Sequence, residues 1–398
     1  MVRRWLVISL LGGACGGSDA PEVPHLDWPS STAVALLHAP GEYTANAQIG
    51  SQTFALLVDT GSTTTAVADA SCSECSQIVS PLYTPGGSAK DTGHHTTATY
   101  ADGTQWTGEI YVDQVGLGSG SPAVPLELAA ITAEIFFFKD DTTQGILGVG
   151  TPETLLDDTT SYPQTVTESG GPSQLAFELC GSAGTMWIGD YDATAAASAP
   201  VFTPLIAPTD ATPYYDVAID DIGLGGTSLG FGASTYATAF VDTGTTDLII
   251  PTDAYDAFVA AVNALPAMTT LFPGQTFTTG VGQSCIEIDG ATDAEIDAMM
   301  PALTMSFPAT SGTVTVTAPP TRSYLDDTGA GQLCLGVGDG GSGDDALTVL
   351  GNAFMRGFLT VIDVAHSQVG FAPDAGCGSD VSSALGRRRA PRRRGPSR

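Results

Sequence analysis

One seven-residue pattern occurs twice, once in each half of the chain. Residues 57–63 read Leu-Val-Asp-Thr-Gly-Ser-Thr, and residues 240–246 read Phe-Val-Asp-Thr-Gly-Thr-Thr. Each copy is followed much later by two apolar residues and a glycine, at 146–148 and at 349–351. Such internal repetition is the sequence signature of a duplicated structural unit. The sequence therefore predicts two related β lobes within one chain.

Short runs with apolar residues at alternating positions recur along the chain, separated by turns rich in Gly and Asp. This pattern is typical of β-strands. Helix signals are few, and the clearest is a run of apolar residues at helical spacing that begins after Pro251. The chain is therefore predicted to be mainly β, with strands at 43–49, 54–58, 97–100, 109–115, 136–138, 214–224, 239–250, 303–307, 314–317 and 360–371, and further short helices at 292–299 and 352–358.

The charge of the chain is strongly negative and unevenly distributed. There are 43 acidic and 13 basic residues, which give a formal net charge of −30. Nine of the arginines lie at the two ends, so the rest of the chain has only Lys90, Lys139, Arg322 and Arg356 as basic residues. Such a surface repels phosphates, and we therefore expect no nucleic-acid partner. It is compatible with acid, where carboxylates lose their charge, or with high salt, where repulsion is screened.

The first residues have the pattern of an export signal. Residues 1–15 contain two arginines, a short apolar stretch and a small-residue region that ends at Cys15. The run resembles a bacterial lipoprotein signal, which makes Cys15 a candidate lipidation site and membrane anchor. Residues 16–32 are predicted to be a tether, and residues 379–398 a disordered basic tail. We expect an exported protein that is either secreted or anchored in the cell envelope.

The two Asp-Thr-Gly sequences carry the chemistry. Each predicts a strand that runs into a tight turn and displays a carboxylate, since Gly permits backbone geometry that a Cβ would forbid. If the turns face each other, Asp59 and Asp242 come into contact, and two carboxylates at that distance share one proton. The ionised member can take a proton from a water while the other donates to a carbonyl oxygen. Such a pair would hydrolyse an amide without a metal.

Neighbouring residues of both turns can support the two carboxylates. The threonine after each aspartate can join the turns through hydroxyl-to-backbone hydrogen bonds, and the hydroxyl residue after each glycine can donate to a carboxylate oxygen. A single Asp-Thr-Gly is also an ordinary turn sequence, so the interpretation depends on the duplication. The predicted supporting residues are Thr60, Gly61, Ser62, Thr243, Gly244 and Thr245.

With these features together, residues 40–375 resemble the pepsin-like aspartic proteases, in a bacterial-type form. Residues 349–356 (Val-Leu-Gly-Asn-Ala-Phe-Met-Arg) strengthen the resemblance. It implies a bilobal acid-protease fold of two pseudo-symmetric, barrel-like lobes over a shared interlobe sheet, with an N-terminal lobe at 33–195 and a C-terminal lobe at 196–378. It also implies an aspartic endopeptidase that is monomeric, needs no cofactor and binds a polypeptide in the interlobe cleft.

The resemblance also assigns residues to the flap and to the substrate site. Residues 100–104 (Tyr-Ala-Asp-Gly-Thr) resemble the family's flap hairpin, in which the tyrosine closes over the substrate, and Asp-Gly is a hairpin-turn signal by itself. The phenylalanines at 136–138 correspond to a stretch that lines the cleft, which suggests cleavage beside large apolar side chains. The predicted flap and substrate-binding residues are Tyr100, Asp102, Gly103, Thr104, Phe137 and Ile146.

Apart from Cys15, the chain has six cysteines. An even number in an exported chain favours disulfides over metal ligands, and the cysteines and histidines do not have metal-ligand spacing, so no metal site is predicted. The resemblance implies one disulfide in each lobe, and it places the two remaining cysteines in the sheet beneath the lobes. The implied pairs are Cys72–Cys75, Cys285–Cys334 and Cys180–Cys377.

Three positions depart from the family pattern. Ala66 replaces a tryptophan that usually holds the flap tyrosine, so a looser flap is expected. Gln144 replaces an aspartate of the first lobe. Asn352 replaces an aspartate that acid-active members often carry, so a less acidic optimum is expected. The change at Ala66 also leaves open a second class of function, a catalytically silent protein at the cell surface that binds peptides in its cleft.

Overall fold

The computed structural model describes residues 23–375, apart from residues 40, 101, 152–158, 182, 210–213, 281, 289 and 328–330. Cys15, Cys377 and the predicted tail at 379–398 lie outside the described residues. The chain is mainly β, as predicted. The described part of the first half has ten strands and one α-helix: β1 (Ser31–Ala39), β2 (Glu42–Ile49), β3 (Gln52–Asp59), β4 (Thr65–Ala68), β5 (Lys90–Thr99), β6 (Gln105–Leu117), β7 (Val124–Ile135), β8 (Gly145–Gly148), α1 (Tyr162–Glu168), β9 (Gln174–Leu179) and β10 (Ala183–Gly189).

The described part of the second half has more and shorter elements. Its strands are β11 (Val201–Pro204), β12 (Asp216–Ala218), β13 (Asp221–Leu224), β14 (Thr227–Ser228), β15 (Thr238–Val241), β16 (Leu248–Ile250), β17 (Cys285–Glu287), β18 (Leu303–Pro308), β19 (Thr313–Ala318), β20 (Leu325–Asp327), β21 (Gln332–Leu335), β22 (Val337–Asp339), β23 (Thr348–Leu350), β24 (Phe358–Asp363) and β25 (Gln368–Pro373). Its helices are α2 (Ala233–Tyr236), α3 (Thr252–Asn263), α4 (Pro266–Leu271), α5 (Asp293–Met299) and α6 (Asn352–Met355).

The first lobe is a closed barrel. Its strands follow one another in the order β2-β3-β8-β4-β7-β6, and β6 pairs with β2 to close the ring. Closure leaves the strands of the ring without open edges. Alternate side chains fill the interior, and among them Leu56, Val58, Leu126 and Leu128 are fully buried.

Six further strands form the sheet that the two halves share. Its order is β11-β25-β24-β9-β10-β1, so three strands of the second half continue into three strands of the first. The halves meet where β24 and β9 pair antiparallel, with Val361 opposite Ala176. The second lobe is built from three smaller sheets, β12-β15-β23-β16-β22, β14-β13-β18-β19 and β17-β21-β20. The predicted bilobal, pepsin-like architecture is confirmed.

The segment before β1 does not form the predicted free tether from residue 23 onward. Leu26 N–H donates to the Ser169 carbonyl at 2.8 Å, and Trp28 Nε1 donates to Ser169 Oγ, also at 2.8 Å. The strand β1 then begins at Ser31, inside the range assigned to the tether. The polar and Gly-rich composition concealed this, because one tryptophan is enough to anchor a short segment.

The phenylalanines at 136–138 were expected to form a buried strand, and this expectation is wrong. Strand β7 ends at Ile135, and Phe136 has a positive φ of 55° and is 81% exposed. Phe138 is buried again. Three identical apolar residues carry no period, so the sequence could not show which of them points outward.

Three short α-helices were missed by sequence analysis, α1, α2 and α4. Helices α1 and α4 each have a proline in the first turn, where a missing N–H costs nothing. Within the described ranges, no helix is long and apolar enough to cross a membrane.

The described cysteines are oxidised. Cys72 bonds to Cys75, and Cys285 bonds to Cys334, its direct neighbour across β17 and β21. Cys180 is also disulfide-bonded, and its predicted partner, Cys377, lies outside the described residues.

Candidate active site

The two Asp-Thr-Gly turns occupy equivalent places in the two lobes. Asp59 is the last residue of β3, which runs parallel to β8, and Asp242 directly follows β15, which runs parallel to β23. The partner strands are the apolar-apolar-Gly segments that the sequence repeat contains. Val149 N–H donates to the Asp59 carbonyl at 2.9 Å, and Asp242 N–H donates to the Leu350 carbonyl at 3.1 Å.

The structure brings the two aspartates together. An ideal Cβ on Gly244 would lie 2.4 Å from Asp59 Oδ1, and one on Gly61 would lie 2.9 Å from Asp242 Oδ1. Each turn therefore passes so close to the opposite carboxylate that its glycine has no room for a side chain. This close approach explains why Gly occupies the third position of both turns.

Both carboxylates are held by the same pair of donors. Gly61 N–H donates to Asp59 Oδ1 at 2.7 Å, and Ser62 Oγ donates to Asp59 Oδ2 at 2.5 Å. In the second lobe, the N–H of Gly244 donates to Asp242 Oδ1 at 2.8 Å and the hydroxyl of Thr245 donates to Oδ2 at 2.6 Å. The matched donors fix both carboxyl groups in related orientations.

Thr60 and Thr243 lock the turns to each other. Each threonine N–H donates to the hydroxyl of the other, at 3.1 Å and 2.9 Å. Each hydroxyl in turn donates to a carbonyl of the opposite lobe, from Thr60 to Val241 at 2.8 Å and from Thr243 to Val58 at 2.7 Å. All four bonds are buried, so they are shielded from competition with water.

The electrostatics of the pair favour a retained proton. Burial raises the pKa of Asp59 well above its usual range, and the neighbouring Asp242 carboxyl raises it further by its charge and by a hydrogen bond. The donors Ser62 and Gly61 oppose this rise. Asp59 and Asp242 are 6% and 7% exposed, which leaves a narrow opening toward solvent.

The predicted flap is a hairpin between β5 and β6. Tyr100 N–H donates to the Thr104 carbonyl at 2.9 Å, and Gly103 has the positive φ of 86° that its tight turn requires. Asp102 Oδ1 accepts hydrogen bonds from Thr104 N–H at 2.9 Å and from Thr104 Oγ1 at 2.7 Å. Asp102 Oδ2 also lies 3.7 Å from the exposed ammonium of Lys139.

The flap tyrosine has a tryptophan partner that the sequence analysis missed. Trp106 Nε1 donates to Tyr100 Oη at 3.0 Å. Trp106 lies in β6, six residues after Tyr100, and its side chain is almost fully buried. The expectation of a looser flap, which the alanine at position 66 suggested, is corrected by this contact, because a donor from the hairpin itself replaces one from β4. The sequence signal that could have revealed this contact is a tryptophan close to the flap tyrosine, because indole is the only largely apolar side chain that carries an N–H donor.

The predicted substrate-binding residues fall into two groups. The ring of Phe137 stacks on that of Tyr100, with a centroid distance of 5.6 Å, and is partly buried. Ile146 was expected to contact substrate, but it is only 1% exposed because it packs in the same core cluster as Trp106 and Phe138. We therefore correct its role to packing beneath the flap.

At the two other positions that depart from the family pattern, Gln144 and Asn352 form hydrogen bonds with backbone groups. Gln144 Oε1 accepts a hydrogen bond from Ala55 N–H at 2.9 Å. Asn352 Nδ2 donates to the Thr243 carbonyl and to the Gly41 carbonyl, each at 3.0 Å. Both side chains therefore stabilise the strands and turns around the two aspartates.

The family model for eukaryotic aspartyl proteases matches residues 42–374 of this chain. The chain therefore belongs to this family of pepsin-like aspartic proteases. It is 27% identical over 350 residues to a beta-secretase from Strongylocentrotus purpuratus, a match that covers 80% of this chain and 63% of the relative. It is 26% identical over 334 residues to an aspartic protease from Phaffia rhodozyma, covering 83% of this chain and 76% of the relative. An aspergillopepsin-1 from Aspergillus oryzae is 25% identical over 342 residues, with 84% and 79% covered.

Proposed function

We propose that the protein is an aspartic endopeptidase whose catalytic residues are Asp59 and Asp242. The observation that carries this proposal is the close approach of the two turns, in which each glycine contacts the opposite carboxyl group. Thr60, Thr243, Ser62 and Thr245, with Gly61 and Gly244, are proposed to hold the pair in place. Family membership supports the same activity.

In the proposed mechanism, the two carboxyl groups share one proton. The ionised group takes a proton from a water molecule, which attacks the peptide carbonyl carbon, while the protonated group donates its proton to the carbonyl oxygen. Collapse of the tetrahedral intermediate breaks the C–N bond as the nitrogen receives a proton from the pair. The pKa of Asp59, raised by burial and by the Asp242 carboxyl, supports one proton being retained in acid.

The substrate is proposed to be a polypeptide bound between the lobes, with large apolar side chains beside the cut bond. The aromatic surface formed by Tyr100 and Phe137 supports this preference, because aromatic rings offer a large apolar area and pair favourably with other rings. Asp102, Gly103 and Thr104 are proposed to close over the substrate as the tip of the flap.

The direct test is hydrolysis of a denatured protein across pH 3 to 7, with and without the inhibitor pepstatin. The unmodified chain is expected to cut, and pepstatin to block the cutting. Asp59→Asn is expected to lower the rate by at least ~1,000-fold, since it removes the shared-proton pair. The matched control is Asp256→Asn, which changes an exposed carboxylate on α3 and is expected to retain full activity. Undiminished hydrolysis by Asp59→Asn would reject the proposal.

The alternative of a catalytically silent binding protein started from the missing tryptophan in β4. Because Trp106 supplies a donor to Tyr100, that observation no longer favours a silent protein. The alternative would return if a folded chain failed to cut any substrate across the whole pH range.

We further propose that the protein acts outside the cytoplasm. Cys72–Cys75 and Cys285–Cys334 are disulfides, and such bonds form and persist in oxidising compartments. Anchoring through a lipid on Cys15 is a separate proposal. Metabolic labelling with a radioactive fatty acid, compared with a Cys15→Ser variant, decides between an anchored and a secreted form.

A further inference from the structure

A small polar pocket lies beside the second Asp-Thr-Gly turn, at the junction of the two halves. Its principal polar lining residues are His38, Asp247, Asp326, Asn352 and Arg356, which we call the interlobe polar pocket. The space that a water-sized sphere can occupy there is about 10 Å³. That is close to the minimum for a single water molecule.

Asn352 connects this pocket to the catalytic turn. Its amide nitrogen donates to the Thr243 carbonyl inside the turn and to the Gly41 carbonyl of the first half, each at 3.0 Å. The Gly41 carbonyl accepts a second hydrogen bond from Thr246 Oγ1 at 3.1 Å. The orientation of the Asn352 amide therefore helps to set how the second turn sits against the first half.

Two buried polar atoms of the pocket have no hydrogen-bond partner among the described residues. They are Asn352 Oδ1, on a side chain that is 3% exposed, and Arg356 Nε. The other end of the guanidinium has a partner, because Arg356 Nη1 donates to Asp326 Oδ1 at 2.7 Å. Buried donors and acceptors are almost always paired, by protein or by ordered water, so each of these two atoms needs a partner, and both residues line the same pocket.

We propose that the interlobe polar pocket binds one ordered water, which accepts a hydrogen bond from Arg356 Nε and donates one to Asn352 Oδ1. Arg356 is thereby a positioning residue for the second catalytic turn. The site takes a neutral molecule, because Asp326 opposes an anion and the guanidinium opposes a cation. The catalytic consequence rests on the proposed function above.

The water is proposed to fix the orientation of Asn352, because an asparagine amide can rotate by about 180° and exchange its oxygen and nitrogen. A flip of Asn352 would direct Oδ1, instead of Nδ2, at the carbonyl oxygens of Thr243 and Gly41, and both hydrogen bonds would be lost. A water that donates to Oδ1 selects the orientation in which Nδ2 faces the turn. Arg356 fixes that water from its other side.

The first test is a crystal structure of the full chain at a resolution that shows ordered water. We expect a density peak within ~2.7–3.2 Å of both Arg356 Nε and Asn352 Oδ1. A dry pocket, or a direct Arg356–Asn352 hydrogen bond, would overturn the proposal. This result does not depend on whether the protein cleaves peptides.

The second test separates the water contact from the ion pair. Arg356→Lys keeps a positive charge for Asp326 but has no Nε, and we expect kcat to fall about fivefold with KM unchanged, in line with the loss of one hydrogen bond. Asp326→Asn removes the charge of the ion pair but leaves Nε in place and keeps an Oδ1 acceptor for Arg356 Nη1, so we expect both constants to stay within about twofold of the unmodified chain.

Equal losses of kcat in the two variants would mean that the ion pair, and not the water, positions the turn, and the positioning role would be rejected. If the unmodified chain proves inactive, the proposed function fails separately. The affinity of the same variants for pepstatin then replaces kcat as the readout, with an Arg356→Lys loss that exceeds the Asp326→Asn loss expected.

Discussion

At the scale of single residues, the candidate site depends on a few contacts that tolerate little change. Of the two turn glycines, Gly244 has less room, because an added Cβ would lie only 2.4 Å from Asp59 Oδ1. The hydrogen bond from Trp106 to the flap tyrosine is another such contact. Each of these two features can be tested by one substitution.

Gly244→Ala is expected to lower kcat/KM by about 100-fold or more, because a methyl group there must push Asp59 aside, and displacements of about 1 Å in an active site have effects of that size. The control is Gly86→Ala, at a glycine whose added Cβ would meet no atom within 4 Å. The comparison of kcat/KM for the two variants checks the prediction. Near-normal activity of Gly244→Ala would show that the turns are further apart than the structure has them.

Trp106→Phe tests the partner of the flap tyrosine. We expect kcat/KM to fall about fivefold, since the change deletes one hydrogen bond that holds Tyr100. Trp28→Phe is the matched control, because it also deletes an indole hydrogen bond, at 2.8 Å to Ser169, outside the flap. Both variants are expected to lose comparable thermal stability, and only the first to lose activity. An equal effect on kcat/KM in both would contradict a specific role for Trp106.

At the scale of elements, short-range sequence motifs stabilise a hairpin in the first lobe and a helix in the second. The flap is a regular hairpin whose Asp-Gly turn was evident from sequence. The Phe137 ring packs against the flap tyrosine, so this hairpin is supported by the loop after β7 as well as by its own strands. Helix α5, in the second lobe, is stabilised at its start by a local motif instead.

Thr292 caps α5 in a reciprocal arrangement with Glu295. The threonine hydroxyl accepts a hydrogen bond from Glu295 N–H, and the glutamate side chain accepts one from Thr292 N–H at 3.0 Å. Thr292→Ala is expected to lower the free energy of unfolding by about 1 kcal/mol, while kcat/KM stays unchanged. Thr292→Ser retains the hydroxyl and is the control. Urea unfolding measures the stability of both variants. Equal free energies of unfolding for Thr292→Ala and Thr292→Ser would show that the cap does not contribute.

At the scale of the whole molecule, burial of carboxyl groups makes stability depend on pH. Burial raises the pKa of Asp216 to about 6, and it raises that of Asp247 to about 6. The folded chain therefore holds these protons more tightly than the unfolded chain, whose aspartates titrate near 3.9. The stabilisation is complete below pH ~4 and is lost as the pH rises toward 6. The fold is thus suited to acid, in agreement with its acidic composition.

Asp216→Asn is expected to remove part of this dependence. The difference between a pKa of about 6 in the folded chain and one of about 3.9 in the unfolded chain corresponds to about 3 kcal/mol. The decline in the free energy of unfolding between pH 4 and 7 is therefore expected to shrink by up to about that amount. Asp344→Asn, at an exposed position, is the control and is expected to leave the decline unchanged. Denaturant unfolding at several pH values measures both. An unaltered decline in Asp216→Asn would show that this carboxyl is not the group responsible.

The predicted fold was confirmed at this scale for a physical reason, and the two turns that carry Asp59 and Asp242 lie against each other as expected. A duplicated turn with its two apolar-Gly partner strands needs both lobes to satisfy it, so the repeat at 57–63 and 240–246 defined the architecture. The tether and the phenylalanine run were predicted less well, because a single anchoring contact, such as that of Trp28, has no sequence period.

From sequence alone, the repeated pattern determined the two-lobe, mainly β architecture and singled out Asp59 and Asp242 as the proposed catalytic pair, because backbone geometry and charge at those turns depend on the residues within them. Only the tertiary structure decided which side chains serve those turns from elsewhere. The burial of Ile146 and the polar pocket around Arg356 arise from contacts between segments that are distant in sequence, and no local pattern encodes them. The indole of Trp106 lies in the same hairpin as Tyr100, but only the folded hairpin showed that its N–H reaches the tyrosine hydroxyl.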